Sequence, residues 1–558
     1  MKKDLFISLV LVTALSFWVL SCASSPPEEQ PLEKEAPAEQ SEAEAQNPGS
    51  EPLDQASLDR FNSAKSRLEE ARARAEYFDG PLYSSDNWNT AEALYAGVRS
   101  VSPAALSELD ETVAKMNTLA GTYDEIFGVA LPFYAQARID EITDSRDLVV
   151  GLGVDELWPD LLETADGLAD HAWEQYLAED YYAAAESAHQ VFAAYNALGL
   201  GTGAWLTRAN AISNGFLEVW PERLDLIDTI GSEALDQYDA ADYVSAEKNA
   251  FTVSIAYEAA SIGINAYNIR EAAVGGGILD VSPERLDAVD RYGDLAVNNF
   301  DAGDYQAAAE MALTATVGYQ ACVQGIAAYQ LWLTVTDTNV LDVFPAQLDL
   351  AEITGLEALD LFDGGRFDDA VNGAQAAYSY LDILKTGTDA YKVRQDIVDQ
   401  DFVRFDESNF DRADEAGLAA LGAYDNDNIA AQDYADEALL RYHLAFATGW
   451  ASYSGERRRF AADERQNALN QKANIAVRSD YDKVSAIYIE AESAYQSGRY
   501  EEAAELYFNA EYQFVLVQAA AVEKRIRAED AIRAAEEQIA ASDETARNAE
   551  ILLEGGTR

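Results

Sequence analysis

A repeat of 62 residues constrains this chain more than any other feature of its sequence. The same step separates prolines, leucines, glycines and aromatic residues. The prolines are Pro159, Pro221, Pro283 and Pro345, and the leucines are Leu162, Leu224, Leu286 and Leu348. Independent columns that share one period indicate a tandem array, in which each unit covers its apolar face with its neighbours.

Each repeat predicts two helices. The prolines stand where a helix can begin, because the first backbone N–H groups of a helix have no partner within it. In the second repeat, apolar residues recur at helical spacing from Leu224 to Tyr238, and Asp242 can cap a further helix from about Tyr243 to about Ala273. Strand-like alternation is missing from the sequence. The predicted fold is all-α, an α-solenoid of tandem two-helix hairpins with helical end caps.

A glycine column and an aromatic column lie four residues apart, on one face of the second helix of each hairpin. Their members are Gly201, Gly263, Gly325, Gly387 and Gly449, followed by Trp205, Tyr267, Tyr329, Tyr391 and Tyr453. We expect these residues to pack between neighbouring repeats, so that Gly325→Leu would force two helices apart and lower the melting temperature. The alternative is an aromatic groove that binds a ligand.

The N-terminus reads as an export signal. Lys2 and Lys3 precede an apolar run that ends at Cys22, and the tract after it holds six prolines and eight glutamates. Val19-Leu20-Ser21-Cys22 resembles a bacterial lipobox, which implies a signal peptide at 1–21, lipidation of Cys22 and a disordered acidic tether at 22–52. An ordinary cleaved signal and an uncleaved anchor are the alternatives.

The turn between paired helices resembles that of the tetratricopeptide repeat. Gly303-Asp304-Tyr305-Gln306-Ala307-Ala308 and Gly498-Arg499-Tyr500-Glu501-Glu502-Ala503 carry the resemblance. That family repeats every ~34 residues, so the present helices are longer and the likeness is confined to the turns. We expect an N-terminal helical cap at 53–100, hairpin repeats at 101–456, and a C-terminal hairpin with a capping helix at 457–558, the cap lying at about 516–541.

Little in the sequence points to catalysis. The formal charge of −60 argues against a nucleic-acid partner, because phosphate binding needs clustered Lys and Arg. His171, His189 and His443 show no metal-ligand spacing, and nucleophile and phosphate-loop motifs are missing. We therefore expect no catalytic residue, metal or cofactor. An enzyme that cleaves glycans through paired carboxylates is a weaker hypothesis, since no one pair stands out among 99 acidic residues.

These features together predict a non-enzymatic lipoprotein of the bacterial cell envelope. Cys22 would anchor it to the inner or outer membrane, with the body in the periplasm or at the cell surface, where the array would serve as a scaffold for other envelope proteins. The alternative is a ligand-binding or transporter-associated role. Some tetratricopeptide-repeat lipoproteins work with the periplasmic binding proteins of TRAP-type transporters, and this chain is similar to them in anchor and turn motif. Its partner would then be a small molecule or a binding protein.

Overall fold

The computed structural model describes residues 54–103 and 106–555. All regular structure within these ranges is helical, which confirms the predicted fold class. The signal peptide, Cys22 and the tether lie outside the described residues. None of the described helices is both long and apolar enough to cross a membrane. The chain divides into two compact units, the first ending at Tyr134 and the second beginning at Ala135.

The N-terminal unit is a small helical body. It contains α1 (Gln55–Tyr77), α2 (Gly80–Tyr83), α3 (Ser85–Val98) and the first part of α4, which spans Leu106–Gly151. Leu68, Met116 and Tyr123 are fully buried at its centre.

The C-terminal unit is a series of six helical hairpins. A one-turn helix precedes each of the first four: α5 (Val154–Leu157), α8 (Phe216–Val219), α11 (Ile278–Val281) and α14 (Val340–Val343). A 3-10 turn at Val403–Phe405 and the short α19 (Ala473–Ala476) precede the last two. The hairpins are α6–α7 (Pro159–Leu177, Tyr181–Ser213), α9–α10 (Pro221–Asp239, Tyr243–Gly275), α12–α13 (Pro283–Asp301, Tyr305–Thr336), α15–α16 (Pro345–Asp363, Phe367–Asp399), α17–α18 (Glu407–Ala423, Asn428–Asn470) and α20–α21 (Arg478–Gln496, Tyr500–Gly555).

Local chemistry sets the ends of these helices. The four column prolines each occupy the first turn of a helix, as the sequence predicts. The Asp242 side chain accepts a hydrogen bond from the backbone N–H of Ser245 at 3.3 Å, which confirms it as the cap of α10. Asp180, Asp304 and Asp427 cap the corresponding helices in the same way.

Successive hairpins share their cores. Phe300, Tyr305 and Ala308 of hairpin 3 join a buried cluster built mainly from hairpin 2, around Phe216 and Ile227. Phe362, Phe367 and Ala370 of hairpin 4 join the core of hairpin 3 in the same manner. Each hairpin therefore completes the core of the one before it, as expected for a helical-repeat solenoid.

The last helix extends well past the packed array. Val517 and Ala521 of α21 are buried, and Lys524 donates to the backbone carbonyl of Ala476 at 2.8 Å. Every residue from Glu523 to Leu553 is exposed. The segment predicted as a capping helix at about 516–541 is helical, and only its first turns pack against the array.

Candidate functional site

The glycine column does not mark one uniform interface. A Cβ built on Gly201, Gly263 or Gly325 would meet no atom within 4 Å, whereas at Gly449 it would lie 2.6 Å from Cγ of Phe402. A close contact is thus present at Gly449, where the side chain of Phe402 comes from the loop before the 3-10 turn, and is missing at the first three positions. A Cβ at Gly325 would meet no neighbouring helix, so the structure gives no reason for Gly325→Leu to force two helices apart.

The aromatic column pairs within hairpins rather than between them. Trp205 lies edge-on to Trp158 with ring centroids 5.9 Å apart, and Tyr267 meets Trp220 at 5.6 Å. Tyr391 meets Phe344 at 6.3 Å, and Tyr453 contacts Phe402 at 5.9 Å. The residue before the helix-starting proline supplies the partner in the first three pairs. Trp205 and Tyr329 are exposed, so these two members of the column are not buried between neighbouring repeats.

Sequence reasoning missed a triad that joins most hairpins to the next. Arg270 of hairpin 2 donates twice to Asp290 of hairpin 3, at 2.8 and 2.9 Å, and the Tyr319 hydroxyl donates to the same carboxylate at 2.7 Å. A two-pronged guanidinium–carboxylate contact fixes geometry as well as charge. The triad therefore locks the register of the two hairpins.

The triad recurs along the chain and could have been found from the repeat spacing. Its copies are Arg72–Glu92–Tyr123, Arg146–Asp166–Tyr195, Arg208–Asp228–Tyr257, Arg394–Asp414–Tyr442 and Arg458–Glu492–Tyr507. Between hairpins 3 and 4 it is replaced, since Trp332 donates to Glu352 at 2.8 Å and Leu381 stands where the tyrosine would be.

The triad carboxylates are held in their ionised form. Burial would raise the pKa of Asp290, but hydrogen bonds from Arg270 and Tyr319 outweigh it and keep that pKa below its usual value. Burial beside a carboxylate also raises the pKa of Tyr319, so its hydroxyl remains a donor. These groups are engaged with one another, as in a structural ion pair.

A second set of contacts between hairpins varies along the array. Arg223 of hairpin 2 pairs with Asp301 of hairpin 3 at 2.7 and 2.8 Å, and Arg285 pairs with Asp363 one repeat later. Between hairpins 4 and 5, Gln347 replaces the arginine, and the Tyr424 hydroxyl donates to the backbone carbonyl of Gln347 at 3.1 Å. A side chain-to-backbone bond thus takes the place of the ion pair.

The contact between hairpins 2 and 3 (interface 2/3) and the contact between hairpins 4 and 5 (interface 4/5) each contain a cavity at the same place in the repeat. The cavity at interface 2/3 is only about 40 Å³. The cavity at interface 4/5 is about 430 Å³ and lies among α15, α16, α17 and α18. Gly387 and Tyr391 of the predicted columns line it, together with the Arg394–Asp414–Tyr442 triad. A volume of this size falls within the ~300–1,000 Å³ of small-molecule sites.

The remaining sequence candidates do not assemble into a site. Within the described residues, no group of His, Cys, Asp and Glu is arranged to hold a metal ion. Cys322 is buried, as expected for a small apolar residue, and burial raises the pKa of its thiol to about 12. His171 contacts Gln175 on its own helix at 3.0 Å.

Comparison with known proteins supplies one distant relative. No protein-family model matches the chain. Treponemal membrane protein A from Treponema phagedenis is 26% identical over 132 residues, which are 24% of this chain and 38% of that protein. The chain thus spans well under half the length of that relative. The chain is a helical-repeat protein with a distant similarity to a membrane protein.

Proposed function

We propose that the chain is a non-enzymatic, lipid-anchored envelope protein that docks a protein partner through the exposed part of α21. The observation that carries this proposal is an apolar stripe along residues 523–553, all of which are exposed. Large exposed apolar surface on a helix marks an interaction site.

The stripe follows the spacing of a coiled-coil seam. Its members alternate at steps of four and three residues: Ala528, Ile532, Ala535, Ile539, Ser542, Ala546, Ala549 and Leu553. Ile532, Ile539 and Leu553 are 59%, 62% and 76% exposed. One seam position carries Ile532, Ile539 and Leu553 but also Ala546, and the other carries only alanine and serine, which allows a second helix to approach closely.

Charge on one edge of the stripe indicates the kind of partner. Glu529, Glu536, Asp543 and Glu550 recur every seven residues beside the seam, whereas the opposite edge carries Ala531, Gln538, Thr545 and Leu552. Glu536, Asp543 and Glu550 form no ion pair within the described part of the chain. Such an edge favours a helix with Lys or Arg beside its own seam. A second copy of this chain is disfavoured, since each copy carries a formal charge of −60.

The proposed attachment to a membrane is supported by the sequence and by the relative. The lipobox-like segment ending at Cys22 would attach the chain to a bilayer, and the acidic tether would hold the array away from it. The relative from Treponema phagedenis is described as a membrane protein. A partner bound to α21 would then be recruited to that membrane, and the array would act as its scaffold.

Photo-crosslinking in cells tests the docking surface. A photoreactive residue replaces Ala535 in the seam of the full-length protein, and a matched control places it at Glu537 on the opposite face. We expect the Ala535 position to crosslink a different protein through a helix rich in Lys or Arg, and Glu536→Lys with Asp543→Lys to reduce the yield. Crosslinking to a second copy, or equal yields from both positions, would overturn the proposal.

Metabolic labelling with an alkyne fatty acid tests the anchor. Cys22→Ser should abolish the label and release the protein from the membrane fraction, while the matched control Cys322→Ser should keep both. Label retained in the Cys22 variant would contradict lipidation at that residue.

A further inference from the structure

Two side chains at the edge of the cavity at interface 4/5 are smaller than their counterparts at interface 2/3. The repeat places Trp220 and Arg223 at interface 2/3, and Phe344 and Gln347 at the same positions of interface 4/5. Arg223 lies over the Trp220 ring, 5.8 Å from its centroid, and is held there by Asp301. Phe344 and Gln347 fill less volume at these positions, and Ile383 and Leu384 replace two alanines opposite them.

The walls of the cavity are apolar and its floor is buried. Ala390, Ala420, Ala435 and Ala438 are each less than 10% exposed, and the exposed Leu418 lies at the mouth. Apolar walls with few polar groups are typical of sites that bind small apolar molecules.

The lining also includes polar side chains, among them the Arg394 guanidinium, the Tyr391 hydroxyl and the Gln347 amide. Nε and Nη2 of Arg394 donate to Asp414 at 2.8 and 3.2 Å, and the Tyr442 hydroxyl donates to the same carboxylate. The guanidinium also lies over the Phe410 ring, 5.3 Å from its centroid, and its remaining amino group, Nη1, donates to no carboxylate among the described residues. Asp414 neutralises the guanidinium, so the site offers a donor without net positive charge.

We infer that the cavity at interface 4/5 binds a small, uncharged and largely apolar molecule that carries one hydrogen-bond acceptor. The apolar body would fill the space between Phe344, Ile383 and Leu384, and the acceptor would meet Arg394. A carboxylate ligand is disfavoured beside Asp414 in a chain of this acidity. This site is separate from the surface on α21, so the two proposals stand or fall independently.

Fluorescence titration with prodan tests the site, because prodan is an uncharged aromatic dye with one carbonyl group. Added to the full chain, it should bind with a stoichiometry of one and a blue-shifted emission. Phe344→Trp with Gln347→Arg should refill the cavity and weaken binding at least tenfold. Ala346→Arg adds the same charge on the exposed face of the same helix and should leave binding unchanged.

Two further measurements keep the test decisive. Should the double variant lose helicity by circular dichroism, Ala438→Leu fills the floor instead and should weaken binding to a similar extent. The naphthalene analogue that lacks the carbonyl should bind several-fold more weakly than prodan. Absence of saturable binding, or equal binding to the parent and the cavity-filled variants, would overturn the inference.

Discussion

Interfaces 2/3 and 4/5 occupy equivalent places in the repeat but differ in how completely side chains fill them. Both carry an Arg–Asp–Tyr triad, so their hairpins are held in the same register. Interface 2/3 is filled by Trp220 and Arg223, and its cavity is about 40 Å³. Interface 4/5 has smaller residues there and a cavity of about 430 Å³.

Two sets of residues have separate roles within one repeat. The triad and the buried core fix the position of each hairpin against the next, while the residues at the edge decide how much space remains. Tyr424 at interface 4/5 can donate to a backbone carbonyl, whereas Phe300 at interface 2/3 cannot and the Arg223–Asp301 pair stands in its place. A repeat array can therefore contain a cavity at one contact while its hairpins keep the same arrangement.

The largest expected effect comes from removing the core that closes interface 2/3. Phe216 is 1% exposed, so Phe216→Ala should lower the free energy of unfolding by about 3–5 kcal/mol. Val340 occupies the matching position near interface 4/5, and Val340→Ala should cost clearly less because it removes fewer atoms. Urea denaturation of both variants measures the difference. Equal losses would show that each atom removed at Val340 contributes more than each atom removed at Phe216, which would contradict looser packing at interface 4/5.

Removing the carboxylate of a triad should lower the free energy of unfolding more than the matching change at the contact between hairpins 3 and 4, which lacks the triad. Asp290→Asn should cost about 1–3 kcal/mol, because it leaves Arg270 without its carboxylate. Glu352→Gln keeps an oxygen for Trp332 and should cost less than Asp290→Asn. Chemical denaturation of the two variants at neutral pH checks the ranking, and a reversed order would contradict a structural role for the triad.

The contribution of Asp290 to the free energy of unfolding should fall as the pH is lowered. Its pKa is lower in the folded chain than the ~3.9 of an unfolded one. The stability it contributes is therefore present above about pH 4 and is lost as the pH falls through the folded pKa. The difference in unfolding free energy between the parent and Asp290→Asn should shrink below pH 4. A difference that stays constant on acidification would exclude this linkage.

Replacing different glycines of the column by alanine should change the stability of the fold in opposite directions. Gly449→Ala should destabilise by about 1–3 kcal/mol, because its Cβ would lie 2.6 Å from Cγ of Phe402. Gly325→Ala meets open space within a helix and should stabilise by about 0.5–1 kcal/mol. Thermal melts of both variants give the signs. A destabilised Gly325 variant would restore the idea of a uniform glycine interface.

The smallest effect is expected from exchanging the edge residue of interface 2/3 for that of interface 4/5. Arg223→Gln breaks a partly exposed ion pair and should cost about 0.2–1 kcal/mol. Asp301→Asn is the matched control and should cost a similar amount. Denaturation in low and high salt should show both losses shrinking with salt. A much larger loss would mean that Arg223 contributes packing beyond its charge.

The sequence by itself determined the all-α class, the hairpin repeat and the helix boundaries of the repeats. These follow from local signals: helical periodicity, proline in the first turn and a capping aspartate such as Asp242. Each signal acts within a few residues, so it can be read without knowing which helices meet.

Only the tertiary structure decided which side chains meet and where space remains. Arg270 and Asp290 are 20 residues apart in sequence and belong to different hairpins, and the Trp220–Tyr267 pair closes within one hairpin rather than between two. The cavity at interface 4/5 depends on the summed volumes of side chains from four helices. A glycine or an aromatic residue therefore looks alike in every repeat, yet its role depends on the volume of the neighbour that the fold brings against it.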